Sequence, residues 1–380
     1  MKEFHLLIIG DANHQYNIAF AKWLRIVKPE VRISIIPTNK SFREDLSKYY
    51  DEVLSREESV GILSKIKILN TILRGKKILN TLIKNNKQFN TILLQYANPE
   101  LALWGRCIRK RSNNYAIAVW GSDYYRNHSL YFNLNIRSAD NMIVGNPVMF
   151  DELTNKYQKQ KQKVHLCYFG NSPIENLKSL KENGISRTKS CKYFDLNETK
   201  INITVGHNGS DSHQHVPILN ELLNLNLNVT SKIRVILPMT YGIREGYLEK
   251  IQFVLKDAQF EYRIMTDFMS DNDIAHLRNL TDIMINLQTT DGFSGSMREV
   301  LYCGGVVING SWLPYQFLKA EGLYFEEVDN FNELQQKIND IVLHYPDYRN
   351  NCYNNPSKIY KLSSWSQTIQ NWKEVIELQQ

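Results

Sequence analysis

Two carboxylates, Asp291 and Glu299, lie eight residues apart in the stretch DGFSGSMREVLYCGG. The glycines and serines after Asp291 predict a loop that leads into the first turn of a helix. The unpaired N–H groups of such a helix start favour an anion such as a phosphate. Glu299 could accept hydrogen bonds from two adjacent ribose hydroxyls, and Asp291 would lie nearer to a transferred sugar. Both acids could instead be only favourable charges at a helix N-terminus.

A second candidate anion loop follows the predicted strand INITV, where the chain reads GHNGSDSHQH before the helix PILNELLNL. Glycines let the backbone approach a ligand closely, and the next helix start presents free N–H groups. The spacing matches neither the dinucleotide fingerprint GxGxxG nor a P-loop. The alternative is a tight turn in which Ser210 or Ser212 caps the helix. The residues expected at the ligand are Gly206, Asn208, Gly209 and Ser210.

Three histidines in the same loop raise the question of a metal site: His207, His213 and His215. No cluster of carboxylates or cysteines accompanies them in the sequence, and a metal site built from histidines usually includes such ligands. We therefore predict no metal ligands in this chain.

The next loop, LPMTYGIREGYLEKI, contains two further candidates for the ligand, Tyr241 and Arg244. A strand is predicted to end at Pro238, and a helix follows from about Arg244. Arg244 or Lys250 could reach a diphosphate, because a cation complements its charge. Each could equally be a solvated charge on the helix surface.

In the first half of the chain, two loops offer a group that could position or deprotonate an acceptor hydroxyl. The strand IAVW leads to Gly121, Ser122 and Asp123, and the first strand leads to Asp11 and His14. Asp123 is the first choice for this role, and His14 or Asp11 is the second. The alternative for Asp123 is an N-cap of the helix that begins near Tyr124.

Short apolar runs alternate with helical patterns along the 380 residues, and this alternation predicts parallel sheets with crossover helices. The length and the 43% hydrophobic content predict two globular domains, and the alternation makes each of them a doubly wound Rossmann-like α/β domain that faces a cleft. We expect an N-terminal domain at residues 1–185, a linker near residues 180–200 and a C-terminal domain at residues 200–355. A helix at residues 356–380, with Trp365 and Trp372 at helical spacing, would pack back on the N-terminal domain.

The segment KIKILNTILRGKKILNTLIKNNK, residues 65–87, interleaves basic with aliphatic side chains. Such a segment could lie on an anionic membrane, with lysines toward the headgroups. The alternative is a core helix whose exposed face is basic. Nucleic acid is not predicted as a partner, because the basic residues lack interleaved aromatic residues. The apolar run at the N-terminus is too short for a signal peptide or a membrane span, so we expect a cytoplasmic protein, peripheral at the inner face of the membrane.

From about Ile201 to Glu326, the order of these loops resembles the nucleotide-sugar domain of GT-B glycosyltransferases. Asp291 and Glu299 match the E-x7-E motif of the retaining group in that fold, with Asp in place of the first Glu. SDNDIAHLRNLTDIMINL and EVLYCGGVVING resemble the segments around that motif. More narrowly, GHNGSDSHQH, LPMTYGIREGYLEKI and NGSWLPYQFL resemble the bacterial family that transfers 4-acetamido-4,6-dideoxygalactose from a dTDP donor in enterobacterial common antigen synthesis.

The resemblance implies a hexosyltransferase that uses a nucleotide diphosphate sugar and extends a lipid-linked glycan of a bacterial surface polysaccharide. It makes Glu299 the ribose ligand and Asp291 a contact of the donor sugar or reaction centre, without a cofactor or metal. The diphosphate would lie against Gly292, Phe293, Ser294, Gly295 and Ser296. Two alternatives remain: a UDP-sugar 2-epimerase of the same fold, and a non-catalytic partner protein of this fold.

Overall fold

The computed structural model describes residues 4–38, 44–54, 67–125 and 129–378. The chain divides into two compact units, which we call the first unit (Met1–Gly170 with Trp365–Gln380) and the second unit (Asn171–Ser364). Each unit is built on one parallel sheet with helices on both faces. The predicted fold class, two doubly wound α/β domains, is therefore confirmed.

The strands of the first unit are β1 (Phe4–Gly10), β2 (Val31–Pro37), β3 (Glu52–Val53), β4 (Phe89–Gln95), β5 (Ser112–Val119), β6 (Asn141–Val144) and β7 (Val164–Leu166). The strands of the second unit are β8 (Ile201–Val205), β9 (Ile233–Pro238), β10 (Glu261–Met265), β11 (Ile283–Asn286), β12 (Val306–Gly310) and β13 (Glu326–Val328).

The helices before β8 are α1 (Gln15–Val27), α2 (Lys67–Asn85), α3 (Gly105–Arg109), α4 (Ser122–Tyr125), α5 (Ser129–Ser138), α6 (Pro147–Lys156), α7 (Ser172–Glu182) and α8 (Arg187–Tyr193). Those after β8 are α9 (His215–Leu223), α10 (Leu227–Thr230), α11 (Tyr247–Leu255), α12 (Asp271–Leu280), α13 (Gly295–Cys303), α14 (Gln316–Ala320), α15 (Leu334–Leu343), α16 (Tyr345–Asn351), α17 (Asn355–Ser363) and α18 (Trp365–Glu377). No helix in these described ranges is both long and apolar enough to cross a membrane.

The two sheets share one topology. The order is β3-β2-β1-β4-β5-β6-β7 in the first unit and β10-β9-β8-β11-β12-β13 in the second, and neighbouring strands are parallel. The strand order therefore reverses between β1 and β4 and again between β8 and β11. In open sheets of this kind, ligands bind beyond the carboxyl ends of the strands at the point of reversal.

Strand residues are apolar on both faces of each sheet. In β1, Leu6 and Ile8 pack into one core cluster, whereas Leu7 and Ile9 pack into another on the opposite face. All four side chains are completely buried. Continuous apolar strands of this type are expected where helices cover both faces of a parallel sheet.

The linker predicted near residues 180–200 is wrong. The chain passes into the second unit after Gly170, and residues 172–193 form α7 and α8. These helices bury Ile174, Leu177 and Cys191 in cores of the second unit. Their exposed faces are polar, so the apolar residues are too sparse to reveal the helices in the sequence.

The C-terminal residues are divided between the two units. In α17, Ile359 is buried in the core cluster that contains α13, so this helix belongs to the second unit. Helix α18 belongs to the first unit, where Trp365 and Trp372 are completely buried beside Phe20. At the end of α18, Asn114 donates a hydrogen bond to the carbonyl oxygen of Val375 over 3.0 Å.

Candidate functional site

The loops after β8 and β11 lie side by side at the carboxyl edge of the second sheet, where its strand order reverses. The Thr289 amide donates to the Ser212 carbonyl over 3.0 Å, and the Gln214 side chain donates to the Leu287 carbonyl over 2.6 Å. These bonds join the two segments that the sequence analysis identified as anion loops. The structure thus brings the two predicted loops together within one unit.

The loop after β8 folds tightly on itself. Gly206 has φ +65°, a left-handed conformation that favours glycine. Gly209 donates to the Tyr241 carbonyl over 2.7 Å, and a Cβ atom at this position would lie 2.1 Å from Ile243. The Ser210 hydroxyl accepts from the Ser212 amide over 3.4 Å and caps the short 3-10 turn at Asp211–His213. Ser210 therefore caps this turn and not α9, whose N-cap residue is Gln214, so the predicted cap of the helix by Ser210 or Ser212 is wrong.

Three further residues predicted at the ligand lie in this loop or beside it. The Asn208 side chain accepts a hydrogen bond from the Ser210 amide over 2.8 Å. Arg244 is 76% exposed and forms an ion pair with Asp211 over 2.8 Å, whereas Tyr241 is 61% exposed. Arg244 and Tyr241 therefore lie at the surface beside the loop after β8, with the arginine held by an acid of that loop.

Three histidines are grouped around Gly206. The rings of His207 and His213 lie 4.2 Å apart, and those of His213 and His215 lie 5.8 Å apart. Burial lowers the pKa of His207 to about 2, of His213 to about 4 and of His215 to about 3, so all three rings are neutral at physiological pH. In the described part of the chain, Nδ1 of His207 and Nδ1 of His213 have no hydrogen-bond partner. No metal-binding geometry involving three or more His, Cys, Asp or Glu side chains occurs in that part either.

Helix α13 begins at Gly295, directly after the loop that contains Asp291. The Ser294 hydroxyl accepts from the Met297 amide over 3.3 Å, which is an N-cap contact. Among the described residues, the amides of Gly295 and Ser296 have no acceptor. The helix start therefore presents two N–H groups that remain available to an anion.

Asp291 is held at the entrance of this loop by three donors. Its Oδ1 accepts from the Gly292 amide over 2.8 Å, and its Oδ2 accepts from Gln288 over 3.1 Å and from the Tyr315 hydroxyl. Burial raises the pKa of Asp291, and the hydrogen bonds from Tyr315 and Gly292 oppose that rise. Phe293 stacks under the Arg298 guanidinium, 4.4 Å from the ring centre, so the tip of the loop is also fixed.

Glu299 is 5% exposed, and both of its carboxylate oxygens are engaged within the second unit. Oε1 accepts from Asn171 over 3.0 Å, and Oε2 accepts from Nε of Arg278 over 2.9 Å. The carboxylate thus forms a buried ion pair and does not face solvent, which disagrees with the expected contact to ribose. Neither partner was predicted from the sequence, because Asn171 is distant in the chain and the segment that contains Arg278 was identified only by its resemblance to the region before the E-x7-E motif.

The sequence carried a usable signal for two of the missed residues. Arg278 is the one charged residue in AHLRNL, on a helix side that also carries Ala275, and a buried arginine requires an acidic partner. Tyr315 lies in NGSWLPYQFL, one of the segments on which the resemblance to a transferase family rests. Neither residue has a motif of its own.

Asp123, the first choice for a catalytic base, is completely buried in the first unit. Its Oδ2 accepts from the Ala97 amide over 2.8 Å, and its Oδ1 accepts from the amides of Trp120 and Gly121, each over 2.9 Å. Burial raises its pKa, and these backbone bonds oppose the rise. The structure contradicts the expected access to a substrate, because the carboxylate joins the loops after β4 and β5.

The second choices, Asp11 and His14, lie after β1 at the carboxyl edge of the first sheet. His14 caps α1, since its Nδ1 accepts from the Tyr16 amide over 3.2 Å. The neutral ring therefore carries its proton at Nε2 and presents a donor, which suits binding better than proton removal. Asp11 is partly exposed, and its Oδ1 accepts from the Asn13 amide over 2.9 Å.

No family model matches the chain, and no curated protein is significantly similar to it in sequence. A glycosyltransferase from Rickettsia africae is similar in structure over 99% of this chain and 98% of its own, with a TM-score of 0.71 and 14% identity. HepE from Anabaena, solved with UDP and glucose, matches over 98% and 99%, with a TM-score of 0.66 and 13% identity. The UDP-GlcNAc 2-epimerase of Neisseria meningitidis, bound to UDP-GlcNAc, matches over 98% and 99%, with a TM-score of 0.65 and 11% identity.

The chain has the GT-B fold. These similarities extend over both units, and both sheets are parallel with helices on both faces, as the sequence predicted. At such low sequence identity the likeness establishes the fold alone, because a GT-B chain can be a transferase or an epimerase.

Proposed function

We propose that this GT-B protein is a glycosyltransferase whose second unit binds a nucleoside diphosphate sugar. The observation that carries the proposal is the start of α13, where the amides of Gly295 and Ser296 have no acceptor among the described residues and lie at the reversal of strand order. A diphosphate supplies the acceptor oxygens that such a helix start favours. HepE, which has the same fold, was solved with UDP and glucose, and this supports a donor of that class.

In the proposed reaction, an acceptor oxygen forms a bond to the anomeric carbon of the donor sugar. The bond from that carbon to the diphosphate breaks, and the diphosphate takes the electron pair. Donors that are already fixed in place stabilise this growing charge most effectively. The backbone groups of α13 are such donors, and we propose that they act without a divalent metal. Asp291, held by Tyr315 at the loop entrance, would contact the donor sugar.

On the acceptor side, Asp11 replaces Asp123 as the candidate to position or deprotonate the hydroxyl. Asp11 is partly exposed at the carboxyl end of β1, whereas Asp123 is enclosed by three backbone amides. His14, exposed in the same loop, would donate a hydrogen bond from Nε2. If the reaction inverts configuration, Asp11 accepts the proton. If configuration is retained, the leaving diphosphate accepts it.

The first experiment is a thermal unfolding scan with UDP, dTDP, GDP and CMP, each with and without magnesium. A ligand that binds only the folded protein raises its apparent stability, by about 2.7 kcal/mol at one hundred times its dissociation constant. We expect one nucleoside diphosphate to raise the melting temperature equally in both conditions. If none does, the non-catalytic alternative replaces the transferase.

The same scan tests the α13 amides through Gly295→Pro. Proline suits the first position of a helix, and the preceding Ser294 has the extended ψ of 122° that proline requires. The substitution removes one N–H group that would donate to the diphosphate, so we expect about tenfold weaker nucleotide binding. Gly295→Ala is the matched control, because it keeps the N–H and its Cβ meets only ordinary contacts, the nearest at 3.5 Å. Equal binding by both variants would contradict the proposed phosphate contact.

A second candidate function is epimerisation of a UDP-sugar, because the UDP-GlcNAc 2-epimerase of Neisseria meningitidis has the same fold. Such a reaction requires acid–base groups whose pKa lies near the working pH, and burial lowers the pKa values of His207, His213 and His215 far below it. The two functions differ in their need for an acceptor. Incubation of UDP-GlcNAc with the protein alone, followed by proton NMR, would reveal an epimer only if the second candidate is correct.

We further propose that the acceptor is a lipid-linked glycan of a bacterial surface polysaccharide, and that α2 contacts the membrane. Lys65 lies outside the described residues, and Arg74 and Lys87 are paired with Glu100 and Glu52. The exposed side of α2 nevertheless combines aliphatic and basic side chains, which suits an anionic lipid surface. Its exposed residues include Leu69, Leu73, Lys76, Ile83 and Lys84.

Lys76→Glu/Lys84→Glu is expected to reduce binding to vesicles that contain phosphatidylserine by at least about tenfold at low salt. Each basic residue near such a surface contributes about 1 kcal/mol, and charge reversal also adds repulsion. Flotation of the protein with vesicles at two salt concentrations measures the effect. Lys159→Glu/Lys161→Glu is the matched control, because it makes the same charge change at an exposed turn of the same unit. Equal losses in both variants would remove the argument for α2.

A further inference from the structure

Arg278 is a buried arginine that contacts the first turn of α13, and one of its guanidinium nitrogens makes no hydrogen bond among the described residues. It extends from α12 and is 4% exposed. Its Nε donates to Oε2 of Glu299 over 2.9 Å, and its Nη2 donates to the Ser296 hydroxyl over 2.8 Å. Its Nη1 is buried and has no hydrogen-bond partner among the described residues. Buried N–H groups without an acceptor cost free energy, so such a group points to a missing partner.

The contact with Ser296 has a chemical consequence. The Ser296 oxygen accepts a hydrogen bond from Arg278, so the hydroxyl proton of Ser296 is directed to another acceptor. In the described part of the chain that proton has no acceptor, and neither do the amides of Gly295 and Ser296. Four hydrogen-bond donors that lack acceptors, including Nη1, thus belong to Arg278 and the first turn of α13.

The loop after β8 approaches the same place. Burial is the main cause of the lowered pKa of His207, and the charges of His213 and Arg278 contribute to it as well. Nδ1 of His207 also has no partner among the described residues. Glu299 is the acid in contact with Arg278, and both of its oxygens are occupied by Arg278 and Asn171. The surroundings therefore offer hydrogen-bond donors to a ligand.

We propose that Arg278 and Ser296 together bind a phosphate oxygen of the donor, and that Glu299 positions Arg278 instead of binding ribose. This inference rests on the proposed function of the same site. It makes Arg278, a residue outside the glycine loops, the positively charged contact of the diphosphate. It also explains why both carboxylate oxygens of Glu299 accept hydrogen bonds from Arg278 and Asn171. A phosphate oxygen would supply the acceptor that Nη1 and the Ser296 hydroxyl lack.

The test uses inorganic pyrophosphate as a probe that carries no base or sugar, with UDP and dTDP beside it. Arg278→Met/Glu299→Gln removes both charges of the pair, so that neither partner is left buried and unpaired. Calorimetry is expected to find at least tenfold weaker binding of pyrophosphate and of the nucleoside diphosphate. Binding of the corresponding nucleoside is expected to stay the same, because the nucleoside has no phosphate.

Arg234→Met/Glu261→Gln is the matched control. It makes identical changes to an Arg–Glu pair, joined over 2.8 Å, at the amino ends of β9 and β10 in the same unit. This variant is expected to bind pyrophosphate as the unchanged protein does. If Arg278→Met/Glu299→Gln does not fold, the phosphate contact is tested with Ser296→Ala, which removes only the hydroxyl. We expect this variant to bind pyrophosphate about three- to tenfold more weakly.

The outcomes separate this inference from the proposed function. Normal pyrophosphate and diphosphate binding by folded Arg278→Met/Glu299→Gln, or by Ser296→Ala, overturns the inference and leaves the transferase proposal standing. Conversely, the unchanged protein could bind pyrophosphate through Arg278 and yet bind no nucleoside diphosphate in the panel. That result would support the anion site and reject the nucleotide donor.

Discussion

Glu299→Gln is expected to lower the free energy of unfolding of the second unit by about 3–5 kcal/mol. The substitution leaves the Arg278 charge buried without a counter-charge, because both members of the pair are almost completely enclosed. The new amide would also place N–H groups against Nε of Arg278 or against Nδ2 of Asn171, and both of those nitrogens are donors in the structure. Hydrogen–deuterium exchange of the peptides that cover α12 and α13 measures the change in opening free energy.

Two further variants identify the cause of that loss. Arg278→Met/Glu299→Gln is expected to recover much of the stability, because removal of both charges is often close to neutral. Glu182→Gln is the control, since Glu182 is 65% exposed and its nearest cation is 3.9 Å away, so we expect almost no change. If Glu299→Gln is as stable as the unchanged protein, the carboxylate is not committed to Arg278 and the ribose contact regains support.

Asp123→Ala is expected to destabilise the first unit by about 3 kcal/mol or more, with no special effect on chemistry. Its carboxylate is the acceptor for the amides of Ala97, Trp120 and Gly121, and each buried donor without an acceptor costs about 1–3 kcal/mol. Asp123→Asn keeps one acceptor oxygen, so we expect its stability to lie between those of the unchanged protein and of Asp123→Ala. Exchange rates of the peptides after β4 and β5 provide the measurement.

An exposed acid of the same unit, Asp151 in α6, is the control for this prediction. Asp151→Ala is expected to change the stability by less than about 0.5 kcal/mol. The opposite pattern would restore Asp123 as the base: a stable Asp123→Ala protein that binds the donor normally but transfers no sugar. In that case the buried carboxylate would have to become accessible during the reaction.

Most of the fold could be predicted from local sequence patterns. The strands that were not predicted are very short. Apolar runs such as Phe4–Ile9 and Thr91–Gln95 indicated the central strands β1 and β4, because helices cover both faces of each sheet. Glu52–Val53 and Glu326–Val328, at sheet edges, were missed because two or three residues with polar side chains carry no strand pattern.

The positions of the candidate loops could be predicted, but the contacts of their side chains could not. Glycines and helix caps act over a few residues, so GHNGSDSHQH and DGFSGS were recognisable as loops before helices. The carboxylate of Glu299 is bonded to Asn171 and Arg278, which lie 128 and 21 residues away in the chain. A single sequence does not show which distant residues are in contact, so these bonds could not be predicted. An aspartate after a strand can be a catalytic base or an acceptor of hydrogen bonds from the backbone. For Asp123 only its burial in the structure distinguishes these two roles.

The division of the chain between the units has a consequence for the order in which the protein forms during synthesis. The first unit begins at the N-terminus, yet its core includes Trp365 and Trp372 from α18. Residues 171–364 therefore emerge from the ribosome as a complete unit while the first unit still lacks its last helix. Until α18 arrives, Phe20 and its neighbours have an open apolar surface, which chaperones recognise. The half of the protein that is synthesised first is thus the half that is completed last.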